Sequence, residues 1–287
     1  MERMITREST DLEQWIINYY DECWLSRFRQ GHNPQSLAMH MGFFENGTRD
    51  NDWAKMNMNA FITRQLALPP DSTCTILDAG CGIGGTCFYI GKNFPHAYLT
   101  GVNLSNEQIA FARQQCAEMN LEERMTFLVE DFATTSLADD TFNFIYTVES
   151  LCHAKDKLAF YKEAWRLLKP GGKLLILDYM YANHPKDDHE EQLLQDFKNG
   201  WAVEEYLTDP IQELTRAGFT SIQADSLTNH VIPGIELSAK RAGKKLQDQN
   251  DSDYSQLMIN HLQACVALHQ LINRNVIDYR MVVCKKP

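Results

Sequence analysis

An α/β fold with a seven-stranded, mostly parallel sheet follows from three observations on this 287-residue chain. Short apolar runs alternate with amphipathic stretches from residue 75 to residue 178. That alternation calls for parallel strands joined by crossover helices on both faces of a sheet. The first run, Thr75 to Leu77, opens directly into DAGCGIGG, Asp78 to Gly85. Glycines here let the backbone turn sharply and bring a ligand against bare peptide and the next helix's N-terminus. The second run ends in a polar residue, Asn103, 19 positions past Gly84, which completes a nucleotide-type βαβ unit.

Each element has its own signal. Residues 10–29 are expected to be helical: Ser9, Thr10 or Asp11 can cap them, and Leu12, Trp15, Ile16, Tyr19, Tyr20, Trp24 and Phe28 recur at helical spacing. The face is unusually aromatic. Gly31, Pro34 and Gly42 break the segment that follows, which holds the tetrapeptide HMGF at 40–43. A helix over 52–67 ends before Pro69 and Pro70. Strands are expected at 75–78, 98–102, 125–129, 142–148 and 173–178, with helices at 86–93, 106–119 and 157–168 between them. KPGGK, 169–173, reads as the turn into the fifth strand. Later come helices at 191–200 and 209–217, a strand at 219–226, a helix after Pro233, a helix at 252–273 and a last strand at 279–284. Helices inserted before the final strands read as a lid over the sheet's carboxyl edge. In such sheets ligands sit where strands end, so Gly80, Asn103, Asp131, Phe132, Glu149, Asp178 and Tyr179 are expected to share one crevice.

Composition narrows the function. The formal net charge is −11 with no long Lys/Arg block, whereas phosphate-backbone binding needs a basic face; a nucleic-acid partner is not expected. Eight cysteines lie scattered with no C-x-x-C pair. Neither a zinc knuckle nor a disulfide framework is implied, and reduced thiols in a cytoplasmic protein are expected. No apolar run is long enough to span a membrane, and the polar N-terminus lacks a signal peptide's apolar core. A homo-oligomer is compatible with all of this.

DAGCGIGG, with Asp78 leading, resembles the first motif of class I S-adenosylmethionine-dependent methyltransferases; dehydrogenases more often carry a plain G-x-G-x-x-G. The resemblance implies a Rossmann-like class I methyltransferase fold: a helical N-terminal cap over 1–70, a cofactor core over 71–181, and lid helices with the last strands over 182–287. It also implies that Asp78, Gly80, Cys81 and Gly82 face the methionine portion of S-adenosylmethionine. Asp78 could equally orient the turn. The ribose normally meets an acid at the end of the second strand; here Asn103 holds that place, followed by Leu104, with Gln108 one helical turn on. Asp131, closing the third strand, is placed to accept from the adenine amino group, with Phe132 packing on the ring.

The fourth strand ends in YTVESLCHA, so Glu149 should emerge beside an apolar site, where a carboxylate's pKa rises and the group can act as a base. His153 follows by four residues and would face the same way on a short helix. VESLCHA is similar to a segment of sterol C-methyltransferases, and GVNLS, Tyr19–Tyr20–Asp21 and His40 to Phe43 resemble segments of the sterol, tocopherol and prenyl-diphosphate C-methyltransferase group. An alkene that takes a methyl becomes a carbocation, which aromatic faces stabilise by about 0.5–2 kcal/mol each. The resemblance therefore implies a cage of Tyr19, Tyr20, Trp24, Phe43 and Phe44, with Glu149 as base and His153 or Tyr179 assisting. The expected substrate is a small lipophilic isoprenoid, a prenyl diphosphate being favoured over a sterol or quinol. A diphosphate would call on Arg27, Arg29 and His32, and on Mg²⁺ held through water; no direct metal ligands are assigned. O- or N-methylation of a small natural product is the alternative. A non-catalytic cofactor-binding protein is weighed against the intact glycines and the available base.

Overall fold

In a computed structural model, the structure describes residues 9–25, 36–206, 208–248 and 254–287. The first helix, α1 (Ser9–Tyr19), passes into a wider π-helical turn, Tyr20–Leu25, where the sequence predicts a single regular helix to residue 29. The remainder of that prediction, with Arg27, lies outside the described residues. α2 (Asn51–Leu66) starts where Asp50 accepts from the Trp53 N–H and stops at Ala67, which turns left-handed with φ 55°.

The core then alternates as expected. β1 (Cys74–Ala79), α3 (Gly85–Asn93), β2 (Ala97–Asn103), α4 (Asn106–Glu118), β3 (Met125–Val129) and β4 (Phe142–Val148) follow in order. A single 3₁₀ turn, Leu151–His153, leads to α5 (Lys157–Leu167) and β5 (Leu168–Tyr181). Side-chain caps fix the helix starts: Ser105 for α4 and Asp156 for α5. β5 is longer than predicted. KPGGK is a bulge within it rather than a turn before it, since Leu168 pairs with Phe142 and Lys173 with Phe144, and Gly171 sits at φ +78°.

α6 (Asp188–Gly200), α7 (Pro210–Arg216), β6 (Thr220–Ser226), α8 (Thr228–Gln247), α9 (Gln256–Asn273) and β7 (Ile277–Lys285) complete the chain. α8 starts before Pro233 rather than after it. The chain already turns at Leu227, whose N–H is taken by the Tyr279 carbonyl, and Pro233 costs one bond in the second turn. The seven strands are ordered β3-β2-β1-β4-β5-β7-β6, with β7 antiparallel to both neighbours. The strand order reverses between β1 and β4, where a ligand crevice is expected. The central strands are buried on both faces, as parallel strands must be. α9 packs against α6 and α8, and reaches back to the π turn after α1, so the two ends of the chain meet over the carboxyl edge.

Candidate active site

A cleft opens at the carboxyl ends of β1, β2, β4 and β5, with about 1070 Å³ of empty space counted out to its mouth. One half is made almost entirely by residues 78–108, the other by residues brought from five separate stretches of chain.

The first half is built on backbone. Gly80 has φ +91°, and a Cβ there would stand 2.4 Å from Ser150 Cβ; any side chain pushes the turn off the end of β4. The N–H groups of Gly80 and Cys81 are held by the Val102 carbonyl, so the turn is locked to β2. Asp78 faces the cleft but is 4% exposed, and its Oδ2 accepts from Tyr146 OH at 2.7 Å and from Cys87 Sγ at 3.3 Å. Burial outweighs these donors and lifts its pKa to about 7.

Asn103 donates from Nδ2 to Gln108 Oε1 at 2.7 Å. Gln108 is 1% exposed and its Nε2 has no partner, although it lines the cleft. A buried amide donor without an acceptor costs about 1–3 kcal/mol, and a ligand hydroxyl beside Asn103 would relieve it. The glycine turn, the start of α3 and this polar pair fit S-adenosylmethionine. Cys81, Gly82, Leu104 and Phe132 also line this half. Asp131 does not: its Oδ1 accepts from the Ala133 N–H at 2.8 Å, closing its own turn.

The second half centres on Glu149. It follows β4 in the left-handed region, with φ +52°, unusual for a side chain with a Cβ. Its own N–H is fixed by the Leu177 carbonyl at 2.8 Å. Oε1 accepts from the Met41 N–H at 2.8 Å and from Tyr279 OH at 3.0 Å. Removal from water pushes its pKa up to about 7 despite both donors, with buried Asp178 adding repulsion.

His153 lies on the 3₁₀ turn rather than a short α-helix, and still lines the same cleft. Its Nδ1 is 3.1 Å from the Ala202 carbonyl, which can only accept, so Nδ1 carries the proton. Nε2 therefore accepts from Tyr20 OH at 2.7 Å. Burial pushes the imidazole down to about 4 and raises the Tyr20 phenol, leaving a neutral Tyr20–His153 pair near pH 7. The neighbouring Tyr19 OH meets His261 Nδ1 at 3.0 Å.

Tyr179 lines the cleft, its ring edge-on to Tyr279, Phe197 and Trp201. Phe43 and Phe44 stand elsewhere. Phe43 is sandwiched between Phe61 and His230, with centroids 4.6 and 4.2 Å away, and the Phe44 N–H bonds the His230 carbonyl. Neither lines the cleft, and they join α2 to α8 instead of forming a cage. The side chain of Trp24 and all of Arg27 lie outside the described residues.

Sequence reasoning missed His40, Met39, Ile16, Ile17, Leu37 and Trp201 as lining residues, and Tyr279 as a partner of Glu149. The HMGF tetrapeptide at 40–43 was the available signal for His40. Among the described residues, no Lys or Arg side chain lines the cleft and no group of His, Cys, Asp or Glu could hold a metal ion. The seven described cysteines are free and buried, and no described helix is long and apolar enough to cross a membrane.

Residues 77–176, from β1 to β5, match the family model for a methyltransferase domain. The chain belongs to the class I S-adenosylmethionine-dependent methyltransferases. It is 31% identical over 188 residues to phosphoethanolamine N-methyltransferase 1 of Arabidopsis thaliana, a match covering 64% of this chain and 37% of the relative. It is 26% identical over 238 residues to a sterol 24-C-methyltransferase of Schizosaccharomyces pombe, covering 79% of this chain and 55% of the relative. The match thus spans about half or less of these relatives' length. In fold, this methyltransferase is similar to a cyclopropane synthase from Mycobacterium tuberculosis, with TM-score 0.80, 18% identity, and coverage of 96% of this chain and 98% of the other. A geranyl diphosphate C-methyltransferase from Streptomyces coelicolor gives TM-score 0.76, 17% identity, and coverage of 98% and 100%. At these identities the structural likeness is one of fold.

Proposed function

We propose that this methyltransferase adds a methyl group to carbon in a small lipophilic acceptor of isoprenoid type, held in the aromatic half of the cleft. Glu149 is the observation that carries the reading: a carboxylate between the glycine turn and the aromatic wall, half-ionised near neutral pH. Gly80, Cys81, Gly82, Asn103, Leu104, Gln108 and Phe132 would hold S-adenosylmethionine, with Asp78 orienting the turn. When bound, that cofactor supplies an electrophilic sulfonium methyl.

The chain's own residues then handle the acceptor. An alkene that gains the new carbon–carbon bond is left with a positive charge on its neighbouring carbon. The faces of Tyr19, Tyr20, Tyr179 and Trp201 stabilise that charge by about 0.5–2 kcal/mol each. Ionised Glu149 removes the adjacent proton, and the C–H electron pair closes a new double bond. The His153 bond holds Tyr20 as a phenol, turned so that its ring rather than an anion meets the acceptor.

The sterol 24-C-methyltransferase relative supports transfer to carbon. The largely apolar and aromatic described lining suits a neutral acceptor, sterol- or quinol-like. The diphosphate expectation rests on Arg27, Arg29 and His32, which lie outside the described residues, and on Mg²⁺. N-methylation of a small amine is the second reading, favoured by the phosphoethanolamine N-methyltransferase relatives and by the oxygens of Glu149 and Tyr20, which would receive an amine. Three acceptors given S-adenosylmethionine separate these readings: a neutral prenyl alcohol, its diphosphate with and without Mg²⁺, and phosphoethanolamine. The alcohol is expected to be methylated in the presence of a chelator. Methylation of phosphoethanolamine alone, or activity dependent on both diphosphate and Mg²⁺, would displace the reading.

A further inference from the structure

Glu149 receives one of its two hydrogen bonds from a backbone amide that no side chain in its own neighbourhood supplies. Met41 belongs to the segment 38–44, whose first residues, Ala38 to His40, line the cleft and which is pinned to α2 at four places. Lys55 Nζ donates to the Ala38 carbonyl at 2.8 Å, and the Phe43 N–H to the Ala54 carbonyl at 2.8 Å. Asn57 Nδ2 donates to the Phe43 carbonyl at 3.2 Å, and His40 Nε2 meets the Asn59 amide at 2.9 Å. Gly42 makes the fit flush, since a Cβ there would lie 2.4 Å from Ala54 Cβ.

His40 is the one of these groups whose side chain bonds Met41 itself, the residue whose N–H meets Glu149. Its Nδ1 is 2.8 Å from the Met41 carbonyl, which must accept, so Nδ1 carries the proton. Burial pushes the ring down to about 4 and keeps it neutral, so Nε2 needs a donor. Asn59 Oδ1 faces Nε2; exchanging the amide's oxygen and nitrogen supplies the donor and gives Nδ2, buried without a partner as placed, an acceptor. Thr86, in the first turn of α3, meets the same Asn59 amide through Oγ1 at 2.9 Å. A continuous path thus runs from the helix behind the glycine turn, through Asn59 and His40, to the Met41 peptide and Glu149.

We propose that His40 is a positioning residue that, anchored on Asn59, aims the Met41 N–H at Glu149 and thereby stabilises the ionised carboxylate. The catalytic role of Glu149 rests on the function proposed above; the positioning role does not. Other groups acting on Glu149 are Tyr279 of β7, Asp178 and Tyr179 of β5, Cys152 of the 3₁₀ turn, Tyr20 of the π turn and Lys55 of α2. None of these is a hydrogen-bond partner of the His40 ring, which bonds Met41 and Asn59.

The test is an infrared difference titration of the full-length protein, with Glu149→Gln used to assign the carboxyl band. It reads the acidity of Glu149 without any acceptor. His40→Phe, which keeps the ring and deletes both bonds, is expected to raise the Glu149 midpoint by about one unit. Asn59→Leu should produce a shift in the same direction. In a methyl-transfer assay the turnover of His40→Phe should fall about tenfold at pH 6 and recover at pH 9. An unshifted Glu149 band in both folded variants would overturn the positioning role, as would a turnover loss equal at every pH. A shifted band with turnover indifferent to Glu149→Gln would instead remove Glu149 as base and leave the positioning role standing.

Discussion

The two halves of the cleft are built on opposite principles. The cofactor half is local: one strand, one glycine turn, the next strand end and the next helix cap, all between Asp78 and Gln108. Its geometry is set by backbone, chiefly the positive φ of Gly80 and the close approach of Ser150. The acceptor half is assembled from residues that never meet in sequence. Glu149 is bonded to Met41, 108 residues before it, and to Tyr279, 130 residues after it. Asp78 and Glu149 mark the contrast. Burial brings both to a pKa of about 7, but Asp78 is tied to its own scaffold by Tyr146 and Cys87, whereas Glu149 hangs on contacts from the two ends of the chain. A cofactor site shared across a fold can be fixed by the turn itself; the acceptor site varies with whatever the flanking segments bring.

The sharpest break in that comparison comes from Gly80→Val. A β-branched side chain at φ +91° and against Ser150 should weaken binding of S-adenosylhomocysteine by about 100-fold or more, read by calorimetric titration. Near-native affinity would mean that the turn does not carry the cofactor half.

Glu149→Gln should do the reverse, leaving that affinity intact while turnover drops by about 10²–10⁴. It should also stabilise the fold at pH 8 by about 1–3 kcal/mol in denaturant titrations. The sign follows from a folded pKa of about 7 above the ordinary 4.5. The stability linked to this group is fully present below the unfolded value and is lost as pH rises through the folded one. Turnover runs the other way, rising between pH 6 and 8 as the carboxylate ionises. A variant equally active, or less stable at pH 8, would contradict the desolvated-base account.

Phe43→Leu gives the smallest effect on turnover. It should cost about 1–2 kcal/mol of stability, through lost stacking on Phe61 and His230, with kcat/KM unchanged. A collapse of kcat/KM with stability intact would return Phe43 to the acceptor wall.

What was legible in the sequence follows the same division. The strand–turn–strand unit puts Gly80, Gly82, Asn103 and Gln108 on the cleft lining because short-range spacing sets them. Glu149, Tyr19, Tyr20 and Tyr179 could be placed at the cleft from strand ends and helix faces. Phe43 and Phe44 could not, because the Phe43 N–H is taken by the Ala54 carbonyl and its ring turns onto α2. Asp131 closes the third strand as expected but stands off the cleft lining, one carboxylate oxygen taken by an Asx turn in its own loop. The Met41 amide carries no side-chain signature, and Tyr279 reads only as one more apolar residue in a last strand; both reach Glu149 through tertiary structure alone.

The most direct measurement is the position of the methyl group in the product. S-adenosylmethionine carrying a ¹³C, deuterated methyl, incubated with a neutral prenyl alcohol, gives a product readable by mass spectrometry and ¹³C NMR. The account predicts a labelled carbon bonded to carbon, with all three deuterons retained and one proton lost from the acceptor. A label bonded to oxygen or nitrogen would contradict it and turn the aromatic wall into a passive lining.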